Sequence, residues 1–394
     1  MSKLEAASSK RRSRAGDFLA ALLLLAIIAG TAWLWWRQRH GPSSKPAPPA
    51  AHEPARHQVI PSLVLVERTP DVSGPATAVP TNEIPVPGVS NAVPAILSAP
   101  VKEPGPMEFP RPAASLLEAQ VALARRVISP GCIDGAMGSQ TRTALAVFQA
   151  LEKLPQTRAF DTNTQSNLKL DEPVLTDYVV SSNDLARLQP LGKTWLEKSR
   201  QTALDYETIL ELVAEKSHAH TALIEKLNPG VDWARVAAGT VLKVPAADYP
   251  PPADRAAYVV IHLSARFLEA FDTETNLIAH FPCSIAAKVE KRPVGELHVA
   301  VVAPNPNYTF NPEIFPESAE AQAIGHKLVI PAGPKNPVGV AWIGLDRPGY
   351  GIHGSPNPEQ IGRTESHGCF RLANWDAAYL LKLVWIGMPV FVEP

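Results

Sequence analysis

Two short motifs near the carboxy terminus contain residues that could carry out acyl transfer. The first is YGIHGS at positions 350–355, which contains His353, and the second is SHGCFRL at positions 366–372, which contains Cys369. A cysteine attacks an acyl carbon as its thiolate, so it needs a base or a cation nearby and backbone donors for the oxyanion. His353 can be that base, and the amides of Gly368 and Cys369 can be the donors. The two motifs therefore predict a cysteine nucleophile.

The same residues also fit a second chemistry. His353, His367 and Cys369 could all act as zinc ligands, as in a zinc hydrolase. The sequence has no HxxxH pattern and no clear carboxylate partner for such a site. Turnover that survives a chelator would exclude this class. The other two cysteines, Cys132 and Cys283, are predicted to be structural, because a lone cysteine is more often a small buried hydrophobe.

Residues 253–394, which must position these side chains, have the pattern of a mainly β domain. Apolar residues recur with a period of two, and turn residues bound each run. The strands are predicted at 258–263, 266–271, 277–284, 296–302, 326–330, 338–345 and 387–392. One late helix is predicted over 375–386, with Asn374 as its cap.

The ordered series of motifs in this region resembles the L,D-transpeptidases of the YkuD or ErfK/YbiS family. The matching pieces are Ser284, Pro293-x-Gly295, Pro331-Ala332-Gly333-Pro334-x-Asn336-Pro337-x-Gly339, Ile352-His353-Gly354, Ile361-Gly362, Ser366-His367-Gly368-Cys369, Arg371-Leu372, Asn374, Asp376 and Gly387-x-Pro389-Val390. Arg292 departs from the family pattern, in which threonine is usual before the proline. The resemblance implies a YkuD-like β-sandwich with one late helix.

The resemblance also implies a role for each matching residue. Cys369 is the nucleophile, His353 is the general base and acid, and the carbonyl of Gly354 orients the imidazole. The implied oxyanion and substrate-binding residues are Ser366, His367, Gly368 and Arg371, with Arg371 facing a substrate carboxylate. No cofactor and no metal are implied.

The reaction implied by the resemblance is a two-step acyl transfer on peptidoglycan tetrapeptide stems, which gives 3→3 crosslinks. Carbapenem-type β-lactams are the implied covalent inhibitors. The residues leave three alternatives open. With water as acceptor the same site would be an L,D-carboxypeptidase, and with a protein lysine it would attach lipoproteins. A wall-binding anchor without turnover would use the accessory segments equally well.

Two segments precede the β region. Residues 113–172 have helical periodicity and resemble the three-helix peptidoglycan-binding domain, through Gln120, Ile133-Asp134-Gly135, Phe148-Gln149 and Asp161 among others. Arg158 departs from that pattern, in which glycine is usual. Residues 173–252 resemble a degenerate LysM module, which binds glycan strands, or else form a packing adaptor. His218 and His220 are predicted to be surface residues, because residues two apart do not share a helix face.

The amino-terminal part has the pattern of a membrane anchor and a tether. A basic tail, 1–17, precedes an uncharged apolar run, 18–36, which is about long enough to cross a ~30 Å hydrocarbon layer. Residues 37–112 follow as a proline-rich, disordered linker. The excess of basic residues before the run predicts a cytoplasmic amino terminus in the inner membrane, with the remainder exported. A cleaved signal peptide would also export it.

The overall composition excludes one large class of partner. The chain of 394 residues has 37 basic and 38 acidic residues, for a net charge of −1, so no strong field is available to hold a nucleic acid. Its three cysteines are too few for a disulfide scaffold, and their odd number leaves at least one unpaired.

Overall fold

The computed structural model describes residues 108–315, 317–363 and 368–394. Most of the predicted amino-terminal part therefore lies outside the described residues, namely the tail 1–17, the apolar run 18–36 and linker positions 37–107. Within the described ranges, no helix has both the length and the apolar character needed to span a bilayer.

The helical segment, residues 111–170, contains three helices and two very short strands. They are β1 (Arg111–Pro112), α1 (Leu116–Ala124), α2 (Ser139–Leu151), α3 (Thr162–Asn167) and β2 (Lys169–Leu170). Two buried glutamines hold the turns between the helices, because the side-chain oxygen of Gln120 accepts from the Gly135 amide at 2.7 Å and that of Gln149 from the Arg158 amide at 3.0 Å. The last residues of the predicted linker belong to this unit, since Arg111 pairs with Leu170.

The middle segment, residues 173–252, has four helices between two paired strands. Its elements are β3 (Leu175–Val179), α4 (Ser182–Ala186), α5 (Trp195–Ser199), α6 (Ile209–Lys216), α7 (Thr221–Leu227) and β4 (Val241–Pro245). β3 and β4 are antiparallel over their whole length. One apolar face of the amphipathic helix α6 is buried in the core of this segment, as the spacing of its Ile, Leu and Val residues requires.

The carboxy-terminal region is mainly β, as predicted. Its strands are β5 (Tyr258–His262), β6 (Phe267–Phe271), β7 (Leu277–Pro282), β8 (Gly295–Pro304), β9 (Tyr308–Phe310), β10 (Leu328–Ile330), β11 (Ala341–Leu345), β12 (Gly351–His353), β13 (Phe370–Arg371) and β14 (Pro389–Glu393). Its helices are α8 (Ala319–Ile324) and α9 (Asn374–Leu383).

Eight of these strands form one sheet in the order β13-β12-β11-β8-β14-β5-β6-β7. The long strand β8 is shared, because its first half pairs with β14 and its second half with β11. The sheet curls around a single apolar core, to which helix α9 contributes. The predicted sandwich therefore takes the form of one continuous curled sheet, because a strand of ten residues is long enough to serve both halves.

The two ends of the sheet meet. Ser284, just after β7, exchanges two backbone hydrogen bonds with Arg371 of β13, at 2.9 and 3.0 Å. The remaining edge of β7 is covered by the helical segment, since Ile128 forms a parallel bridge with His280. These contacts hold the strand that follows Cys369 against the end of the sheet.

Candidate active site

Strand pairing brings His353 and Cys369 to one face of the curled sheet. In the parallel pair of β12 and β13, His353 lies opposite Arg371, and on the other side His353 lies opposite Trp342. Side chains alternate between the faces of a strand, so Cys369, two residues before Arg371, shares its face. Ile352 and the other alternate residues point into the core. The sheet therefore orders the two predicted catalytic side chains and the arginine on one surface.

The imidazole of His353 is held in one tautomer. Its Nδ1 lies 2.6 Å from the carbonyl oxygen of Gly354, and because a carbonyl can only accept, Nδ1 must carry the proton. Nε2 is buried and has no hydrogen-bond partner among the described residues. The ring stacks on Trp342, with 5.7 Å between ring centroids. Nε2 is therefore an available proton acceptor, which is what a general base requires.

Burial keeps His353 neutral. Its side chain has no exposed area, and desolvation, together with the positive charge of Arg371, lowers the pKa of His353 to about 3, although the hydrogen bond to Gly354 acts in the opposite direction. A neutral imidazole can take a proton from a thiol, whereas an imidazolium cannot.

Cys369 is also buried, with 1% of its surface exposed. Desolvation raises the pKa of the Cys369 thiol to about 12, while a hydrogen bond from the Gly351 amide and the charge of Arg371 act to lower it. The sulfur lies 3.6 Å from the Gly349 carbonyl oxygen, to which the thiol donates. In this closed arrangement the cysteine is a thiol and the histidine a neutral base, and Arg371 is the nearby cation that favours the thiolate.

Asn374 packs against the backbone of Gly354, whose carbonyl orients His353. Two close-packed glycines leave room for its side chain, because a Cβ on Gly339 or Gly354 would lie 2.0 or 2.3 Å from the Asn374 Oδ1. That oxygen accepts from the Val340 amide, and the Nδ2 donates to the Glu215 carboxylate of α6 and to the Pro334 carbonyl. The prediction that Asn374 caps α9 is wrong. It is instead the first helical residue, and its side chain holds the 334–340 loop, which packs against Gly354.

An apolar cover lies over the face that holds Cys369. The hairpin of β9 and β10 contributes Tyr308 and Phe310 to a buried cluster that also contains Trp342 and Cys369. The middle segment adds Leu204 to this cluster, and Trp195 stacks on Phe310 with 4.7 Å between ring centroids. The middle segment is thus part of the environment of Cys369.

The other predicted site residues divide into two groups. Arg371 is buried beside Cys369, and Gly368 is half-buried with open space where a Cβ would lie. Ser366 and His367 lie outside the described residues. No group of three or more His, Cys, Asp or Glu side chains within the described ranges could hold a metal ion.

Three residues of the site were not found from the sequence. Trp342 carries no motif, although a tryptophan in a strand that precedes the histidine motif was an available signal. Leu204 and Glu215 belong to the middle segment and meet the site only through the tertiary fold. The prediction that His218 lies at the surface is wrong, because its ring is buried and stacks on Trp375 at 5.2 Å. Burial lowers the pKa of His218 to about 4.

Comparison with known proteins identifies similar L,D-transpeptidases for the region that contains the candidate site. Residues 256–392 match the family model of the YkuD L,D-transpeptidase catalytic domain. The chain is 26% identical to the protein named L,D-transpeptidase YkuD of Bacillus licheniformis, over 48% of this chain and 94% of that protein. It is 31% identical to the protein named L,D-transpeptidase YbiS of Escherichia coli K12, over 46% of this chain but only 58% of that protein.

Among solved structures, L,D-transpeptidase 3 from Mycobacterium tuberculosis in complex with a faropenem-derived adduct matches 41% of this chain and 76% of its own. The identity is 16% and the TM-score 0.27, so the family assignment comes from the sequence matches rather than from this superposition. Residues 256–392 therefore belong to the YkuD family of L,D-transpeptidase catalytic domains.

Proposed function

We propose that this chain is a cysteine-dependent L,D-transpeptidase that crosslinks peptidoglycan tetrapeptide stems through a thioester. The observation that carries the proposal is the state of His353. Its tautomer is fixed by the Gly354 carbonyl, its Nε2 has no partner among the described residues, and its ring stacks on Trp342, which belongs to the same buried cluster as Cys369.

The first step transfers the stem to the enzyme. The Cys369 thiol gives its proton to Nε2 of His353, and the sulfur attacks the carbonyl at the L-centre of diaminopimelate in the donor stem. The S–C bond forms, the C–N bond to the terminal D-alanine breaks, and the imidazolium returns the proton to the departing amine. The amides of Gly368 and Cys369 are the proposed donors to the oxyanion.

The second step transfers the stem to its acceptor. The side-chain amine of diaminopimelate on a neighbouring stem attacks the thioester, a new amide bond forms and the S–C bond breaks. His353 removes the proton of the amine, and the thiol is regenerated. Water as acceptor would instead release a shortened stem, which is L,D-carboxypeptidase activity.

Substrate binding has to change the ionisation of the closed site. Burial raises the pKa of Cys369 and lowers that of His353, so both groups are neutral when no substrate is present. We propose that a substrate carboxylate pairs with Arg371 and that developing charge on the sulfur is balanced by the imidazolium. A thiol that stays protonated until substrate arrives would also be protected from oxidation.

We propose an exported, membrane-anchored location for this activity. The anchor is the apolar run 18–36, with the amino terminus in the cytoplasm, and residues 37–112 are the tether. Residues 113–172 and 173–252 are proposed to hold glycan strands near the catalytic region. Carbapenems are the proposed covalent inhibitors, since a thiolate can open their β-lactam ring.

The test is incubation of the full-length chain with purified disaccharide-tetrapeptide, followed by mass spectrometry of the products. Wild type should form a dimer with loss of D-alanine. Cys369→Ala should reduce that rate by more than about 10³-fold, because the thioester cannot form. Cys132→Ala is the control and should keep the activity, since Cys132 lies in the helical segment.

Two results would contradict this function. Folded wild type that neither forms product nor takes up a carbapenem on Cys369 would favour a wall-binding anchor. Loss of turnover on addition of a chelator, with restoration by zinc, would favour the metal hydrolase.

A further inference from the structure

A cavity of about 410 Å³ lies between the helical segment and the catalytic region, on the outer face of the β6–β7 hairpin. The first turn of α2 and Arg158 form one wall, and Arg266, Phe267 and His280 form the other. Its volume exceeds what a single water or small ion needs and is in the range of small-ligand sites.

The charged side chains of the described lining are all cationic. Arg158 and Arg266 contribute guanidinium groups, and no Asp or Glu belongs to the described lining. α2 also begins here, and no side chain caps its amino terminus at Gly138. The backbone N–H groups of a helix amino terminus attract anions. The wall residues thus favour a negatively charged ligand.

His280 contributes a buried polar atom with no partner. Its side chain has no exposed area, and its Nε2 makes no hydrogen bond among the described residues. Its Nδ1 lies 3.1 Å from the Glu269 carboxylate. Although burial raises the pKa of Glu269, hydrogen bonds from His262 and His280 lower it to about 2, so this carboxylate stays charged and holds the Nδ1 proton. With the proton on Nδ1, Nε2 is an acceptor, and a buried acceptor without a partner is costly unless an N–H or O–H of a ligand donates to it.

Both arginines are held in a backbone conformation that is unfavourable for their type. Arg158 has φ +58° and Arg266 has φ +57°, in the left-handed region. For a residue other than glycine this region costs about 1–2 kcal/mol. Arg158 stands where the resembling three-helix domains usually have glycine.

The cavity is connected to the loop that leads to the nucleophile. Arg266 donates to the Gly362 carbonyl at 3.1 Å, and the Gly362 amide donates to the Ser284 hydroxyl at 2.8 Å. Ser284 pairs with Arg371, two residues after Cys369. A polymer held in the cavity would therefore lie beside Gly362, which the Ser284 hydroxyl links to the strand pair of Ser284 and Arg371.

We propose that this cavity binds a carboxylate group of the peptidoglycan polymer at Arg158, with an N–H or O–H of the same polymer donating to Nε2 of His280, and so holds a second part of the substrate beside Gly362. This inference rests on the proposed function for the identity of the polymer. Phosphate groups of other wall polymers offer the same oxyanion chemistry, and the experiment separates the two sources.

The experiment measures binding of disaccharide-tetrapeptide to full-length Cys369→Ala protein by calorimetry. Adding Arg158→Gly should weaken binding on the order of tenfold, the effect of one charge-assisted hydrogen bond. Glycine tolerates the left-handed conformation, so this variant should unfold at the same temperature or higher. Lys153→Gly is the matched control, because Lys153 is also an exposed cation with φ +55° but does not line the cavity. It should leave binding unchanged.

Two further arms identify the ligand and the place. Amidation of the stem carboxylates should remove the difference in binding between Arg158→Gly and Lys153→Gly. Stronger binding of inorganic phosphate than of the stem would show that the site binds phosphate groups, which would overturn the carboxylate as the ligand. In protein with labelled histidine, the stem should shift the Nε2 resonance of His280. Equal binding by the two glycine variants, or an unmoved His280 resonance at saturation, would overturn the cavity as a site.

The inference and the proposed function fail separately. Crosslinking by wild type, with equal activity in Arg158→Gly and Lys153→Gly, would leave the enzyme and remove the cavity site. Specific binding that depends on Arg158, in a wild-type protein that forms no product, would leave the cavity site and remove the transpeptidase.

Discussion

Among single residues, Asp376 is placed where a carboxylate is least expected. It lies in the first turn of α9 and is fully buried, where Tyr249 and Ser129 donate hydrogen bonds to it. Its partners come from the middle segment and the helical segment, so one side chain joins three parts of the chain. Burial raises the pKa of Asp376 to about 7, even though the hydrogen bonds act to lower it.

This raised pKa predicts a pH-dependent stability. The unfolded chain loses the proton of Asp376 near its ordinary value, whereas the folded chain keeps it up to about pH 7. The folded state therefore binds more protons between about pH 4 and 7, and this group makes the free energy of unfolding fall as pH rises through that window. Asp376→Asn should remove this dependence, which amounts to about 1.4 kcal/mol for each unit of pKa shift, because an amide does not titrate. The amide can still accept a hydrogen bond from Tyr249 and donate one to Ser129.

Urea unfolding at pH 5 and pH 8 measures the effect. The comparison needs the difference between variant and wild type, because Glu215 titrates in the same direction and His353 in the opposite one. Asp254→Asn is the control, since Asp254 is exposed. Parallel pH profiles for wild type and Asp376→Asn would show that Asp376 is already ionised in the folded protein at pH 5.

Local motifs identify the residues whose chemistry depends on their neighbours in sequence. Cys369 and His353 each stand in a glycine-rich context that an acyl-transfer site requires, and the Gly354 carbonyl is adjacent to the imidazole it orients. The predictions for His218 and Asn374 are wrong because their environment is made by distant residues. His218 packs on Trp375 and Tyr249, and Asn374 contacts Glu215. No periodicity within either segment contains that information.

At the scale of elements, the loop from Pro331 to Gly339 connects the middle segment to the site. Leu204 donates from its amide to the Ala332 carbonyl at 2.9 Å and accepts from the Lys335 amide at 3.0 Å. Between these two bonds lies Gly333, with φ +142°, and a Cβ there would lie 2.1 Å from the Leu204 carbonyl oxygen. The glycine is therefore required by the close approach of a second chain segment.

Gly333→Ala should push the loop from Pro331 to Gly339 away from the backbone of Leu204. We expect it to lower the free energy of unfolding by about 2–4 kcal/mol, because the new methyl group forces backbone to move. We also expect faster alkylation of Cys369 by iodoacetamide, because Leu204 packs in the same buried cluster as Cys369. Urea unfolding and peptide mass spectrometry measure the two effects.

The matched control is Gly295→Ala. Gly295 has φ +109°, but no atom of the described residues lies within 4 Å of the position that the new methyl group would take, so only the backbone strain of about 1–3 kcal/mol should appear. Equal alkylation rates for Cys369 in the two variants would contradict a role of Leu204 in covering the nucleophile.

The sequence predicts the longer strands of the region but not the short ones that hold the site. Strands β5 and β6 lie within one residue of the predicted runs 258–263 and 266–271, because alternation over five residues is a clear signal. β13 has two residues, and β9 was not predicted at all. Such elements exist only because neighbouring strands complete their hydrogen bonds, so no local sequence pattern predicts them.

For the molecule as a whole, the segments before the catalytic region pack against it. Ser129 and Ile128 cover the edge of β7, Leu204 packs in the buried cluster that contains Cys369, and Glu215 accepts a hydrogen bond from Asn374. Composition and periodicity indicate separate units along the chain. Their contacts with one another could not be predicted, because each unit has enough apolar residues to form a core of its own.

These contacts predict that residues 253–394 are unstable alone. Removal of the preceding segments exposes the apolar surface under Leu204 and the backbone of β7, and each large apolar side chain left uncovered costs about 1.5–3 kcal/mol. Thermal unfolding of the fragment 253–394 should begin well below that of the fragment 108–394. Equal unfolding temperatures, with both fragments monomeric in size-exclusion chromatography, would show that the preceding segments contribute no stability.

The meeting of the sheet's two ends has a consequence for how copies of this protein can associate. An unpaired outer strand is a template on which a neighbouring chain can build, and it is a common route to fibrous aggregates. Here Ser284 and Arg371 join the ends, and Ile128 occupies the remaining border of β7. Within the described residues, the curled sheet thus gives copies crowded on one surface little opportunity to add strands to one another.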